Sequence, residues 1–474
     1  MRVSVTDDDE FGPRRCPTWI SRARRTMACL MVIASAFVVS PAVTHNADAT
    51  PDTVDPFYRT DVDLGNVAPG TILRVRPVSA SAMQAVPMQA QAWQLLYRTT
   101  RADGSPYAAV TTVLTADASR PPAAILSFDS MIDAIAPECM PSRVLQDGAP
   151  WFGFDGPGGP VTLSTTASEL PMIAAALQQG WAVSVPDLGG VDNHFLSPRE
   201  PGFVALDGLR AIKNFDGIAG VAADTPTALW GYSGGGIATA WAAEVQPWYA
   251  PELAVAGMAI GAPVADFAAA IRNGNRSPVA GLVAVGLVGL VQDSPEFADQ
   301  VDRSVGDPGR QMLITAAASC TPQNLLSFAF HDFDDYLVGI SVEELVESPL
   351  AKKLLADRRL GTTVPRAPLY IYNAVGDELS TIASADELVA GYCAAGTPVT
   401  YRRDVIPSAI SAHTIGWGLG APGAFAWLTD RVERPSPPTG CEVTTTTTVA
   451  DPGAASTLIP DFAGGLLAAL LGTG

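Results

Sequence analysis

Gly231-Tyr232-Ser233-Gly234-Gly235 constrains this chain more than any other stretch. The pattern G-x-S-x-G describes a serine on a sharp turn between a strand and a helix. Larger side chains beside that serine would collide with the tight backbone, and glycine tolerates the dihedrals the turn needs. The flanks agree. Thr227-Ala228-Leu229-Trp230 is a short apolar run suited to a buried strand, and Ile237 to Ala243 is a run of helix formers ahead of Pro247. Strand, turn and helix follow in the order that would present the Ser233 hydroxyl as a nucleophile.

The same alternation runs along much of the chain. Ala92 to Thr100 and Ala108 to Leu114 read as paired strands, and Ala123 to Phe128 as a buried one. Glu169 to Gly180 has helical periodicity with a glycine stop, Trp181 to Val185 is a strand, and Gly202 to Asn214 is an amphipathic helix. Val255 to Ile260 is a further strand. Strands alternating with helices predict an α/β fold with a sheet covered on both faces. The alternation lapses over 263–366, which reads as helical and includes the apolar run Val279 to Val291, and it resumes at Pro368 to Tyr372. The expectation is an α/β-hydrolase core in two parts, 50–262 and 367–441, with a mostly helical cap over 263–366 inserted between late strands. The run 279–291 reads as a buried helix or as a cap helix lining an acyl-chain tunnel. Residues 442–474 read as a Thr-rich linker and an apolar tail forming a terminal flap or amphipathic segment.

Residues 1–49 read as a signal peptide. Arginines 14, 15, 22, 24 and 25 precede an apolar stretch, Met27 to Val39, too short to span a bilayer. Ala47-Asp48-Ala49 is a cleavage pattern. The formal net charge of −19 argues against nucleic acid or an anionic membrane as partner. Beyond the leader four cysteines remain, Cys139, Cys320, Cys393 and Cys441, an even set that allows three pairings. No C-x-x-C spacing occurs and histidine is scarce, so neither a metal nor another cofactor is expected. Two disulfides in an oxidising, extracellular compartment is the economical reading.

A serine hydroxyl needs a base, oriented in turn by a carboxylate. In α/β-hydrolases the chain order is serine, acid, histidine. Of the four histidines, His45 lies in the leader and His194 precedes the serine. His331 sits among aromatics inside the expected cap. His413 follows the late strand and is the preferred base. Asp377, just past the strand ending at Asn373, is the preferred acid, with the longer Glu378 as second choice. The backbone N–H of Gly234 is the expected first oxyanion donor. The loop Asp129 to Asp133 is the positional candidate for the second.

These residues resemble a known family, the fungal and actinobacterial secretory lipases of the lipase A-like branch of α/β-hydrolases. The resemblance rests on DPFY at 55–58, LLYRTT at 95–100, ELPMIAAALQQGWAVSVPDLGG at 169–190 and LDGLRAIKN at 206–214. It continues through WGYSGGG at 230–236, WYAPEL at 248–253, GDEL at 376–379 and SAH at 411–413. It implies Ser233, Asp377 and His413 as triad, an oxyanion hole from Asp133 and Gly234, and disulfides joining Cys139 to Cys320 and Cys393 to Cys441. It also implies a cap carrying the acyl tunnel. The chain departs from the family at Asp129 to Ile132, where a more aromatic stretch is usual, in the cap, and in the Thr-rich tail.

The expected function is a secreted serine hydrolase of lipid esters, of triacylglycerol lipase or carboxylesterase type. Its partner would be an ester substrate, with transient contact at a lipid interface. An acyltransferase or peptidase on the same triad, and a non-catalytic exported lipid-binding protein, are the alternatives.

Overall fold

In a computed structural model the described residues are 55–82, 86–146, 164–406, 411–434, 439–447, 456 and 458–471. The expected leader lies outside them. From Asp55 onward the chain forms one compact unit.

Its frame is a ten-stranded mixed sheet. In chain order the strands are β1 (Ile72–Ala82), β2 (Val86–Thr100), β3 (Pro106–Thr115), β4 (Ile125–Asp129) and β5 (Ala182–Pro186). They continue with β6 (Thr227–Tyr232), β7 (Val255–Gly261), β8 (Leu369–Ala374), β9 (Val399–Asp404) and β10 (Cys441–Thr446). The spatial order is β1-β2-β3-β5-β4-β6-β7-β8-β9-β10. The first three strands pair antiparallel, β3 pairs antiparallel with β5, and every later pair is parallel. The central strands β4, β5, β6 and β8 are buried along their whole length, as parallel strands covered on both faces must be.

The short α1 (Pro141–Val144) follows β4, and longer helices close both faces of the sheet. On one side α3 (Glu200–Lys213) and α4 (Gly234–Tyr249) pack with the cap in one apolar cluster. On the other, α2 (Thr166–Gln178) and α13 (Ala412–Glu433) build a second core around Trp230, Phe128 and Phe425. The helix α2 stops at Gly180, which takes φ +72°.

Between β7 and β8 the described chain is helical: α5 (Phe267–Gly274), α6 (Ala280–Asp293), α7 (Pro295–Ser304), α8 (Asp307–Ala317), α9 (Thr321–Phe328), α10 (Val342–Glu347) and α11 (Pro349–Asp357). The helix α6 occupies the apolar run singled out in the sequence. No helix among the described residues is long and apolar enough to cross a membrane.

Thr444 to Thr446, expected in a linker, lie in β10, which pairs parallel with β9 and extends the sheet beyond 441. Threonine is β-branched and suits a strand. The apolar tail is also part of the core's cover. Phe462 is buried against Trp230 and Phe425, and α14 (Gly464–Leu471) packs so closely on α2 that a side chain at Gly465 would meet the backbone of Ala174 and Ala175.

Candidate active site

Ser233 joins β6 to α4 with φ +51° and ψ −119°. A non-glycine residue there is strained, and such strain gathers at functional turns. The glycines around it are required by contact. A Cβ at Gly235 would strike the carbonyl of Asp129, and one at Gly236 the carbonyl of Gly261. The helix that follows can therefore sit tight on the sheet edge.

Ser233 Oγ lies 2.8 Å from His413 Nε2, and His413 Nδ1 lies 3.0 Å from each carboxylate oxygen of Asp377. The matching tautomer has Nδ1–H donating to Asp377, with Nε2 accepting from the serine. Asp377 is fixed by the N–H groups of Leu379 and Ser380, which donate to its Oδ1 at 2.9 and 2.8 Å. All three residues are buried. Burial opposes a charge on His413, but Asp377, with Glu378 and Asp133 beyond it, outweighs burial and raises its pKa above the usual 6.5.

Gly234 is the first residue of α4, so its N–H has no partner within the helix. A Cβ built on it would collide with Asp133 Oδ1. The backbone N–H of Asp133 points elsewhere: it donates to Thr321 Oγ1 at 3.2 Å, and that hydroxyl donates to the Asp133 carbonyl at 3.1 Å. Burial raises the Asp133 pKa to about 7, although His413 pulls it down. The loop carrying it hangs on two further buried carboxyls. Asp129 accepts from Ser127 and from Thr239 of α4, both at 2.7 Å, and Glu169 of α2 holds the Ser130 hydroxyl and the Met131 N–H.

Of the other histidines, His45 lies outside the described residues, and His194 and His331 lie apart from this group. His194 Nδ1 pairs with Glu200 at 2.7 Å, and His331 Nδ1 bonds the Tyr336 hydroxyl at 2.6 Å in the cap. Glu378 does not reach the imidazole as an alternative acid. Its carboxylate turns to the Ser411 hydroxyl and to the backbone N–H of His413. Sequence reasoning found neither this role, nor that of Thr321, nor the bond that the Tyr232 hydroxyl donates to the His413 carbonyl, because all three act through backbone groups that no motif marks. No cluster of three potential metal ligands occurs among the described residues.

Both disulfides join the expected partners. Cys139–Cys320 ties the segment after Asp133 to the start of α9, and Cys393–Cys441 ties α12 (Ile382–Ala394) to β10.

A cavity opens at Ser233. Asp133, Ser233 and Ile237 line its core side, and Leu282, Val283 and Leu290 its cap side. A second cavity lies among cap residues, and Ile271, Val283, Leu290 and Leu355 border both. The walls are mostly apolar, aliphatic with some aromatic rings, and Arg358 lines the first cavity.

A serine on a strand-turn-helix elbow, a capped mixed sheet, and a hydrogen-bonded triad whose serine, acid and histidine follow in that sequence order define an α/β-hydrolase. The chain belongs to the secretory lipase family, whose sequence profile it matches over residues 158–440. It is 39% identical to a probable inactive lipase of Mycobacterium tuberculosis, over 80% of this chain and 81% of that one. It is 34% identical to lipase A of Arthroderma benhamiae, over 85% of each. Among solved structures it resembles Candida antarctica lipase A in its closed state, with a TM-score of 0.72 and 27% identity, covering 87% of this chain and 94% of that one.

Proposed function

We propose that this protein is an active, exported serine hydrolase of lipid esters. The observation that carries this reading is the continuous Ser233–His413–Asp377 hydrogen-bond chain at the mouth of an aliphatic cavity. Family membership supports ester chemistry. The two disulfides and the secretory character of the family support an extracellular location.

In this reading Ser233 Oγ attacks the ester carbonyl while His413 Nε2 takes its proton. Asp377 holds the imidazole in the right tautomer and stabilises the imidazolium. The Gly234 N–H and the neutral carboxyl of Asp133 donate to the oxyanion. His413 returns the proton to the leaving alcohol, and an acyl-enzyme remains on Ser233. Water, deprotonated through His413, then releases the acid. The cavity would take the acyl chain, because an aliphatic wall gains from burying methylenes and leaves polar head groups unsatisfied.

One relative carries the name of an inactive lipase, so activity needs a direct test. Folded protein treated with a fluorophosphonate should be labelled at Ser233. An unlabelled, folded protein would favour the non-catalytic lipid-binding alternative.

A further inference from the structure

We propose that Tyr232 and Glu378, the sequence neighbours of the nucleophile and of the acid, are positioning residues that clamp the backbone of His413 from both sides. The proposal rests on the hydrolase reading and adds to it how the base is held.

His413 sits in the first turn of α13, whose N-cap is Ser411. No i−4 carbonyl is available to an N–H in that turn, so the helix alone does not fix it. Glu378 supplies the missing partner. Its Oε2 accepts the His413 N–H at 3.2 Å, and its Oε1 accepts the Ser411 hydroxyl. Ser411 Oγ in turn accepts the N–H of Thr414 at 3.0 Å. One carboxylate thereby ties the acid loop to the whole helix start.

From the other side, the Tyr232 hydroxyl donates to the His413 carbonyl at 2.6 Å, and its ring lies 5.4 Å from the imidazole. A Cβ at Gly416 would stand 2.9 Å from that hydroxyl, so glycine one turn further along leaves room for the bond. Tyr232 is the variable position of G-x-S-x-G, and here it couples the elbow to the base. One donor and one acceptor thus hold the C=O and the N–H of His413, in the two peptide groups that flank its α-carbon, and they come from the segments that carry its partners. A base held in this way stays within hydrogen-bond reach of both Ser233 and Asp377, the kind of positioning on which rate depends steeply.

The two residues also differ in charge, which separates their effects. Asp377, Glu378, Asp133 and the phenol of Tyr232 face His413. Removing the Glu378 charge while keeping an amide oxygen to accept hydrogen bonds should make the imidazolium less favourable. Removing the Tyr232 hydroxyl should loosen the backbone without altering the charge.

The test uses the full mature protein and the variants Glu378→Gln and Tyr232→Phe. The readouts are the NMR titration of His413, kcat and KM on a p-nitrophenyl ester, and thermal stability. For E378Q the His413 titration and the acid limb of kcat/KM should move to lower pH by about 0.5 unit. For Y232F, kcat should fall roughly tenfold with KM within about twofold and the titration unmoved. The double variant should lose less than the product of the single losses, because both act on the backbone of one residue. An unmoved titration in E378Q, or wild-type kcat in folded Y232F, would overturn the clamp. Absence of any Ser233-dependent turnover in the wild type would instead defeat the hydrolase reading, and the NMR titration would still decide this one.

Discussion

The carboxyl of Asp133 lies directly over the α-carbon of Gly234, the residue after the nucleophile, and leaves no room for a side chain there. Its own N–H is spent on Thr321. In the proposed mechanism Asp133 therefore donates to the oxyanion through its protonated side chain, which burial favours by raising the pKa to about 7. Catalysis then needs neutral His413 and neutral Asp133 together, and activity should fall as pH rises past about 7 as well as when His413 protonates. Asp133→Asn carries a permanent N–H donor and should lose the alkaline limb. Asp133→Ala should lose about 10²–10³ in kcat. A pH–rate series on the three proteins decides it, and an unchanged alkaline limb in D133N refutes a protonated donor.

The buried carboxyls beneath that loop make stability depend on pH. Burial raises Glu169 to about 8 and Asp129 to about 7, against opposing hydrogen bonds. A group whose pKa is raised on folding binds its proton more tightly in the folded state. Its contribution is complete below the unfolded value near 4 and is lost as pH rises through the folded value. The melting temperature should fall between about pH 5 and pH 8, and Glu169→Gln should make that fall shallower. Scans of both proteins across that range check the sign; a parallel slope would show that Glu169 does not titrate there.

Gly286 lines the Ser233 cavity, and the nearest atom to a Cβ built on it is Leu196 Cδ1 at 3.6 Å. A larger side chain should enter the acyl path without disturbing the core. Gly286→Leu is expected to cut kcat/KM for C12–C16 esters about tenfold or more while sparing C2–C4 esters. Equal losses at all lengths would remove the cavity from the acyl path.

The Cys139–Cys320 bridge closes a span of 181 residues and starts α9, whose Thr321 holds Asp133. Replacing both cysteines by serine should cost about 2–5 kcal/mol in unfolding free energy. It should also lower kcat, because the Thr321 contact would loosen. Denaturant unfolding and turnover measured on the same preparation test both halves. Unchanged kcat would mean that Thr321 is held without the bridge.

Much of this was legible in the sequence because it follows from order and punctuation. The elbow glycines, the strand ending at Asn373 and the small residues around His413 fixed where a nucleophile, acid and base could fall. The edges of the sheet were not legible. β9 ends in Tyr401-Arg402-Arg403-Asp404, where polar side chains mask the strand period, and Arg402 instead pairs with Glu442 of β10. The Thr run looked like low complexity because its partner strand lies some forty residues away. The contacts of Tyr232, Glu378 and Thr321 depend on the backbone of distant segments, which no local pattern reports.

Whether Ser233 is the nucleophile of an ester hydrolase is decided by hydrolysis of p-nitrophenyl esters from C2 to C16 by the mature protein, with Ser233→Ala alongside. Turnover should extend to long chains and fall at least about 10³-fold in the variant. Turnover that survives in Ser233→Ala, or no turnover on any ester by folded wild-type protein, would contradict that role for Ser233.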